Sequence, residues 1–215
     1  MSQKNRNAKT CFYCAIKRFF DIIISFVAIL FIPIIAFFIK LAFLITKDFC
    51  PIFYTQIRIG QYGKPFKLIK FRTMVRNADK KALNKLLKDP KIRAEWEKNH
   101  KLKNDPRITR IGKILRKTSI DEIPQFINIF LGQMSLIGPR PLVKKEIIAY
   151  GHDQQKLLSV KPGLTGWWAC NGRSNTSPKK RRELELYYVD HFSFTLDIRC
   201  FFMTIAKVLS HEGAE

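Results

Sequence analysis

The sequence predicts one compact domain that mixes a β-hairpin with helices and carries an apolar, membrane-seeking segment near its N-terminus. Three observations predict it. The chain has 215 residues, 47% of them hydrophobic and 18 of them Phe, which is enough apolar material for one core. Ile22–Ile39 runs for 18 residues without a charge, whereas a mean hydropathy of −0.10 excludes a protein of many spans. Beyond that run, strand-like and helix-like patterns alternate between Gly and Pro breaks. The 39 Lys+Arg against 17 Asp+Glu give a net charge of +22. Such an excess calls for a polyanionic partner: nucleic acid, an anionic membrane face or a phosphorylated substrate.

The apolar run, as a straight helix, would reach about 27 Å, close to the hydrocarbon thickness of a bilayer. It is too long for a cleaved signal, and no Ala-x-Ala-like site follows it. Lys4, Arg6, Lys9, Lys17 and Arg18 precede it and Lys40 and Lys47 follow it. The positive-inside rule therefore puts both flanks on the cytoplasmic side. Pro33 removes one helical hydrogen bond within the run. A helix broken at Pro33, entering and leaving by one face, reconciles these facts. A plain spanning helix that tolerates its proline is the alternative, and the residues alone leave the two level.

Ile52–Ile59 is rich in β-formers, Gly60–Gly63 marks a turn and Pro65–Thr73 returns, so residues 52–73 read as a hairpin. Alternation puts Phe66, Leu68, Lys70 and Arg72 on one face. Residues 77–103 are basic and helical in pattern, with Leu83, Leu86 and Leu87 as a stripe, broken at Asp89-Pro90 and ended at Asp105-Pro106. A further helix opens at Ser119 and runs to about Phe130. Gly138–Pro141 and Pro162–Gly166 read as loops. Ser177-Pro178 pairs an N-cap with proline at the first helical position, and the helix begins with the basic run Lys179–Arg182. Residues 192–209 are strongly apolar, with Asp197, Thr204 and His211 at sevenfold spacing on one side. That suits a helix at a membrane interface or one packed on a core.

The five cysteines are odd in number and scattered, so a reducing compartment is the simpler home. Cys11 and Cys14 have metal-ligand spacing but lack a second pair, and read as free thiols. Neither a P-loop nor a dinucleotide-binding glycine pattern occurs. Asp121-Glu122 is the most suggestive chemical pair, available for metal binding or nucleophilic attack. Ser119-Ile-Asp-Glu122 is also a capping box, and on spacing alone capping is the stronger reading. The surroundings favour chemistry: Lys70 and Arg72 on a strand face, Arg140 between two prolines, and Arg173 in an Asn-Gly-Arg loop. Arginine forks bind phosphate oxygens bidentately, and two carboxylates among such cations could assemble around a Mg²⁺-bound pyrophosphate.

Six motifs stand in order: Lys17-Arg-Phe-Phe-Asp21, Lys70-Phe-Arg-Thr-Met74, Thr118-Ser-Ile-Asp-Glu-Ile-Pro-Gln125, Met134-Ser-Leu-Ile-Gly-Pro-Arg-Pro141, Lys161-Pro-Gly-Leu-Thr-Gly166 and Asn171-Gly-Arg173. Together they resemble the bacterial sugar transferase family, the monotopic phosphoglycosyl transferases, over about residues 17–209. The resemblance implies an α/β fold with a re-entrant helix broken at Pro33, a small hairpin or sheet, and helices lying in the membrane interface. It implies a basic N-terminus and membrane helix at 1–48, a cytoplasmic catalytic domain at 49–190 and an amphipathic C-terminal helix and tail at 191–215. It implies a Mg²⁺-dependent enzyme of the EC 2.7.8 type, moving a sugar 1-phosphate from a UDP-sugar to polyprenyl (undecaprenyl) phosphate and releasing UMP. Asp121 would be the nucleophile and Glu122 a Mg²⁺ ligand. Lys70, Arg72, Arg116, Arg140, Arg173 and Asp197 would lie on the phosphate-binding side. The implied place is the cytoplasmic face of the bacterial inner membrane, with anionic inner-leaflet lipid as a partner, no nucleic acid, and homo-oligomerisation left open. Ile32 before the proline, Cys50-Pro51 before the first strand, and Ala169 where the family commonly has Gln depart from the family pattern. A membrane-tethered nucleic-acid-binding protein and an inactive scaffold are the competing classes, and the spread of basic residues without a recognition motif counts against the former.

Overall fold

A computed structural model describes residues 3–76, 78, 80–99, 102, 104–172 and 176–210. The apolar run lies within one long helix, α1 (Gln3–Ile45). The break expected at Pro33 does not interrupt it. A proline removes one helical hydrogen bond and crowds the carbonyl four residues back, which bends a helix without having to end it, and here helical geometry continues on both sides. Ile32, Ile39 and Phe43 are buried in one cluster with Phe71 and Leu115. The opposite face stays bare: Phe19, Phe31 and Phe37 are 60%, 55% and 65% exposed.

The hairpin forms as expected. β1 (Phe53–Ile59) pairs antiparallel with β2 (Pro65–Phe71), with Tyr54 opposite Lys70 and Arg58 opposite Phe66. A one-turn 3₁₀ segment at Gln61–Gly63 reverses the chain. Phe66 and Leu68 pack on Ile129 and Met134, which leaves Lys70, at the far end of the same face, beside the acidic pair. The basic region forms α2 (Lys80–Leu86) and α3 (Pro90–Asn99), the latter started by Asp89, whose Oδ1 accepts from the Lys91 amide at 2.8 Å. Helix α4 (Arg110–Lys117) opens at Thr109, whose Oγ1 accepts from the Gly112 amide at 2.9 Å. At Gly112 a Cβ would fall 1.9 Å from the Thr73 carbonyl oxygen, so this helix and the exit of β2 meet backbone to backbone.

Ser119–Glu122 is not a capping box. Ser119 sits in the left-handed region at φ 57°, makes no side-chain cap bond, and is followed by a 3₁₀ turn, Ile120–Glu122. Buried Pro124 then starts α5 (Gln125–Phe130). Pro124 suits this N-cap position, where the missing N–H is not required by the helix that follows. Asn128 of α5 is 1% exposed and fixes the helix to β2, donating to the Lys67 carbonyl at 2.8 Å and accepting from the Ile69 amide at 3.0 Å.

β3 (Ser135–Ile137) pairs parallel with β4 (Gly163–Thr165). Short helices α6 (Lys144–Ile148) and α7 (Gln154–Leu157) lie between them. A Cβ on Gly163 would fall 2.1 Å from the Gly138 nitrogen, and the Gly163 amide donates to the Pro139 carbonyl at 2.7 Å. The glycines of both motifs therefore hold the Pro139–Pro141 loop at close quarters. After α8 (Trp167–Cys170) come α9 (Pro178–Asp190), capped by Ser177 with Pro178 at its first position, and α10 (Phe194–Ser210).

Polar ties join α1 to this domain at both ends. Asp21 Oδ1 accepts from the Leu136 amide at 2.9 Å and Ser135 Oγ at 3.0 Å. Arg18 donates to the Ile129 and Phe130 carbonyls at 2.6 and 2.7 Å. At the other end, the Arg72 guanidinium lies 4.5 Å from the Phe43 ring and 2.8 Å from Asp48 Oδ2.

Candidate active site

A cleft of about 870 Å³ opens between the hairpin, α4 and the Ile120–Glu122 turn on one side and the Pro139–Pro141 loop, Trp168 and Glu185 on the other. The turn places Asp121 in its wall. Ile120 and Ile123 face the α1 cluster, which directs the two carboxylates between them the other way. Asp121 is 8% exposed. Lys70 Nζ lies 3.7 Å from Asp121 Oδ2 and donates to Glu122 Oε1 at 2.6 Å. Arg116 reaches the same wall, with its Nε donating to Thr73 Oγ1 at 3.0 Å.

Burial raises the Asp121 pKa, and the Glu122 charge adds to the rise; Lys70 and Arg116 oppose it. The Arg116 guanidinium is pushed down by burial and held up by Asp121 and Asp105. Arg140, in the opposite wall, is likewise lowered by burial and then by Arg181, with Glu146, Glu122 and Glu185 opposing. Arginines so perturbed are still cations at neutral pH. One buried carboxylate is thus bracketed by cations, in a cleft whose volume suits a small molecule and whose charge suits a polyanion.

Lys70, Arg116, Asp121, Glu122 and Arg140 all line the cleft. Two expected members do other work. Arg72 borders the cleft but is engaged elsewhere: it pairs with Asp48 by charge and donates to the Pro51 carbonyl at 2.7 Å and the Met74 carbonyl at 3.0 Å. It ties the end of α1 to β2. Asp197 lies outside the cleft, 7% exposed, and accepts from Tyr188 at 2.6 Å and from Tyr13 and Lys17. It fastens α10 to the start of α1. Arg173, His211 and the Cys11 side chain lie outside the described residues. Ala169 lines the cleft.

Sequence reasoning missed Arg58, Arg181, Glu146 and Glu185. Arg58 donates to the Pro141 carbonyl at 3.1 Å and to Glu146 Oε2 at 3.4 Å, bracing the Arg140 loop. Arg181 hides within a basic run that reads as a solvated face. Glu185 is 2% exposed, and the mixed pattern of α9 gives no sign of it.

The model of the bacterial sugar transferase family matches residues 12–211, and the chain belongs to that family. It is 42% identical over 200 residues to an undecaprenyl-phosphate galactose phosphotransferase of Salmonella typhimurium, covering 93% of this chain and 41% of the relative. It is 34% identical over 211 residues to a UDP-glucose:undecaprenyl-phosphate glucose-1-phosphate transferase of Escherichia coli, covering 93% and 41%. An exopolysaccharide production protein ExoY of Sinorhizobium fredii is 37% identical over 198 residues, covering 92% and 87%. The chain thus spans less than half the length of the first two relatives and most of the third.

Proposed function

We propose that the protein transfers a sugar 1-phosphate from a UDP-sugar to undecaprenyl phosphate in two displacements. Asp121 Oδ attacks the sugar-bearing phosphorus. The bond from that phosphorus to the bridging oxygen breaks, and the oxygen leaves with its electron pair as part of UMP. The phosphosugar is left as an acyl phosphate on Asp121. An oxygen of the lipid phosphate then attacks the same phosphorus and expels the Asp121 carboxylate, giving a polyprenyl diphosphate sugar. The observation that carries this reading is a buried carboxylate in the cleft wall with Lys70 at 3.7 Å and Arg116 beside it. Two anionic substrates repel each other, and a covalent intermediate means they need not react with one another directly. Lys70, Arg116 and Arg140 supply the positioning and charge neutralisation on which phosphoryl transfer depends.

Mg²⁺ fits the donor set. Asp121 and Glu122 present hard oxygens at the cleft, and no cluster of three or more Asp, Glu, His or Cys capable of holding a metal occurs among the described residues. A pair of carboxylates without a closed cage suits an ion that keeps waters and binds substrate phosphates. Glu122 would hold it, and when bound it would neutralise charge on the diphosphate.

The membrane arrangement is part of the proposal. The exposed face of α1 continues onto α5, where the Phe26 and Phe130 rings are 6.2 Å apart, and the start of α1 meets α10 through Tyr13 and Phe194 at 6.2 Å. Phe201, Phe202 and Ile205 of α10 are exposed as well. So broad an apolar surface is a membrane surface. A helix fastened to one domain at both Asp21 and Phe43 cannot carry its ends to opposite sides of a bilayer while that domain stays on one side. This supports monotopic attachment at the cytoplasmic face of the inner membrane, where basic residues meet anionic lipid. The deciding experiment is UMP release from a panel of UDP-sugars with Mg²⁺ and undecaprenyl phosphate. Release with one sugar supports the proposal, and release with none refutes it.

A further inference from the structure

We propose that Glu185 is a positioning residue that sets the Pro139–Arg140–Pro141 loop and leaves the Arg140 guanidinium free to receive a phosphate of the donor. The inference rests on the reaction proposed above for its ligand, a nucleoside diphosphate. Its geometry is independent of that reaction. Both Glu185 carboxylate oxygens accept from the Arg140 backbone amide, at 3.0 and 3.2 Å. The two prolines beside Arg140 have fixed φ angles and no N–H, so the Arg140 amide is the one backbone N–H of this tripeptide. Glu185 comes from α9, a thirteen-residue helix remote in sequence from the loop.

The guanidinium is kept from competing partners. Among the described residues it makes no hydrogen bond or ion pair, although it lines the cleft. It lies 5.7 Å from the centre of the Trp168 ring, and the Arg181 guanidinium lies 4.6 Å from the same ring. Arg181 takes up the nearby carboxylates instead, with its Nε 3.9 Å from Glu185 Oε1 and its Nη1 3.9 Å from Glu146 Oε1. Arg181 Nε and Nη2 are buried without a hydrogen-bond partner, so the ring and the charges hold Arg181 in place. Glu185 therefore does two things at once. It fixes the backbone that carries Arg140, and it engages Arg181, a neighbouring cation packed on the same Trp168 ring. A buried carboxylate costs stability unless it is paired, and here its partners all belong to the loop and to Arg181.

The test measures binding of inorganic pyrophosphate and of UDP by calorimetry, beside UMP release, on the full chain in detergent. Glu185→Ala should weaken binding of both anions about tenfold, as expected for loss of a charge-assisted hydrogen bond that orients the binding loop. Glu185→Gln keeps an oxygen for the Arg140 amide and should recover most of the affinity. Arg140→Ala should lose at least as much as Glu185→Ala, and the double variant should be no worse than Arg140→Ala alone, because Glu185 acts through Arg140. If Glu185→Ala does not fold, Glu185→Asp retracts the carboxylate by one methylene and should raise the donor KM more than it lowers kcat. Additive losses in the double variant would overturn the proposal. So would Gln as damaging as Ala, or Asp indistinguishable from the parent. A parent protein that binds pyrophosphate through Arg140 yet releases no UMP would refute the transferase reading and leave this one standing.

Discussion

Replacing Asp121 with Asn separates chemistry from stability, and the structure fixes the sign of each effect. The carboxyl is 8% exposed. Its pKa is raised from 3.8, first by burial and then by Glu122, against Lys70 and Arg116. An acid whose folded pKa lies above its unfolded value holds its proton more tightly in the fold. Its ionised form therefore subtracts from stability as pH rises past the unfolded value, and the full subtraction is reached above the folded pKa. Asn carries no charge and removes that cost at neutral pH. What it gives up is a 3.7 Å pair with Lys70, whose side chain is 27% exposed and already holds Glu122 at 2.6 Å. A pair that loose is worth less than about 1 kcal/mol. The denaturation midpoint of Asp121→Asn should therefore equal or exceed the parent's by up to about 4 °C, and its advantage should grow from about pH 4 upward. UMP release should fall by about 10⁴-fold or more, the scale of losing a nucleophile. Both are measured in the same micelles. Release within tenfold of the parent would refute the nucleophile assignment. A clearly lowered midpoint accompanying the lost activity would return Asp121 to a structural role.

Three further outcomes follow from the packing. Cys14 is exposed near the start of α1; a membrane-impermeant maleimide should miss it in intact spheroplasts and label it after permeabilisation, and because α1 is tied to the domain at Asp21 and Phe43, Pro33→Leu should leave that pattern unchanged. Gly112→Ala drives a Cβ to 1.9 Å from the Thr73 oxygen and should cost about 1–3 kcal/mol, read as a lower midpoint. Asp197→Asn strips the counter-ion from Lys17, whose side chain is 13% exposed, and should cost about 3–5 kcal/mol. Lys17→Met in the same protein should recover part of that loss, and the donor KM of the folded fraction should stay near the parent's.

The local elements were legible because their signals are local. Turn glycines and β-formers mark the hairpin, Ser177-Pro178 marks the start of α9, and an uncharged run marks α1. The cleft was legible only as a list of motifs. Lys70, Asp121 and Arg140 are far apart in sequence, and nothing in their spacing says that they meet. Ser119 misled because the same four residues spell a capping box, whereas its left-handed backbone leads into a 3₁₀ turn and α5 begins only after Pro124. Asp197 reads as phosphate-side from its matching segment, and nothing in the sequence points to its partners Tyr13 and Lys17, nearly the whole chain away. Arg181 and Glu185 were invisible for the same reason: a basic run and an acidic residue look solvated until tertiary packing turns one of each inward.

The central claim is the covalent phosphosugar on Asp121, and intact-protein mass spectrometry tests it most directly. The protein is mixed with Mg²⁺ and the UDP-sugar that supports turnover, without undecaprenyl phosphate, and quenched rapidly. The expected product is a protein heavier by one phosphosugar, with the addition mapped to the peptide bearing Asp121, UMP equal to the labelled protein, and loss of the label when undecaprenyl phosphate is added. An unmodified protein that releases UMP only when both substrates are present would contradict it.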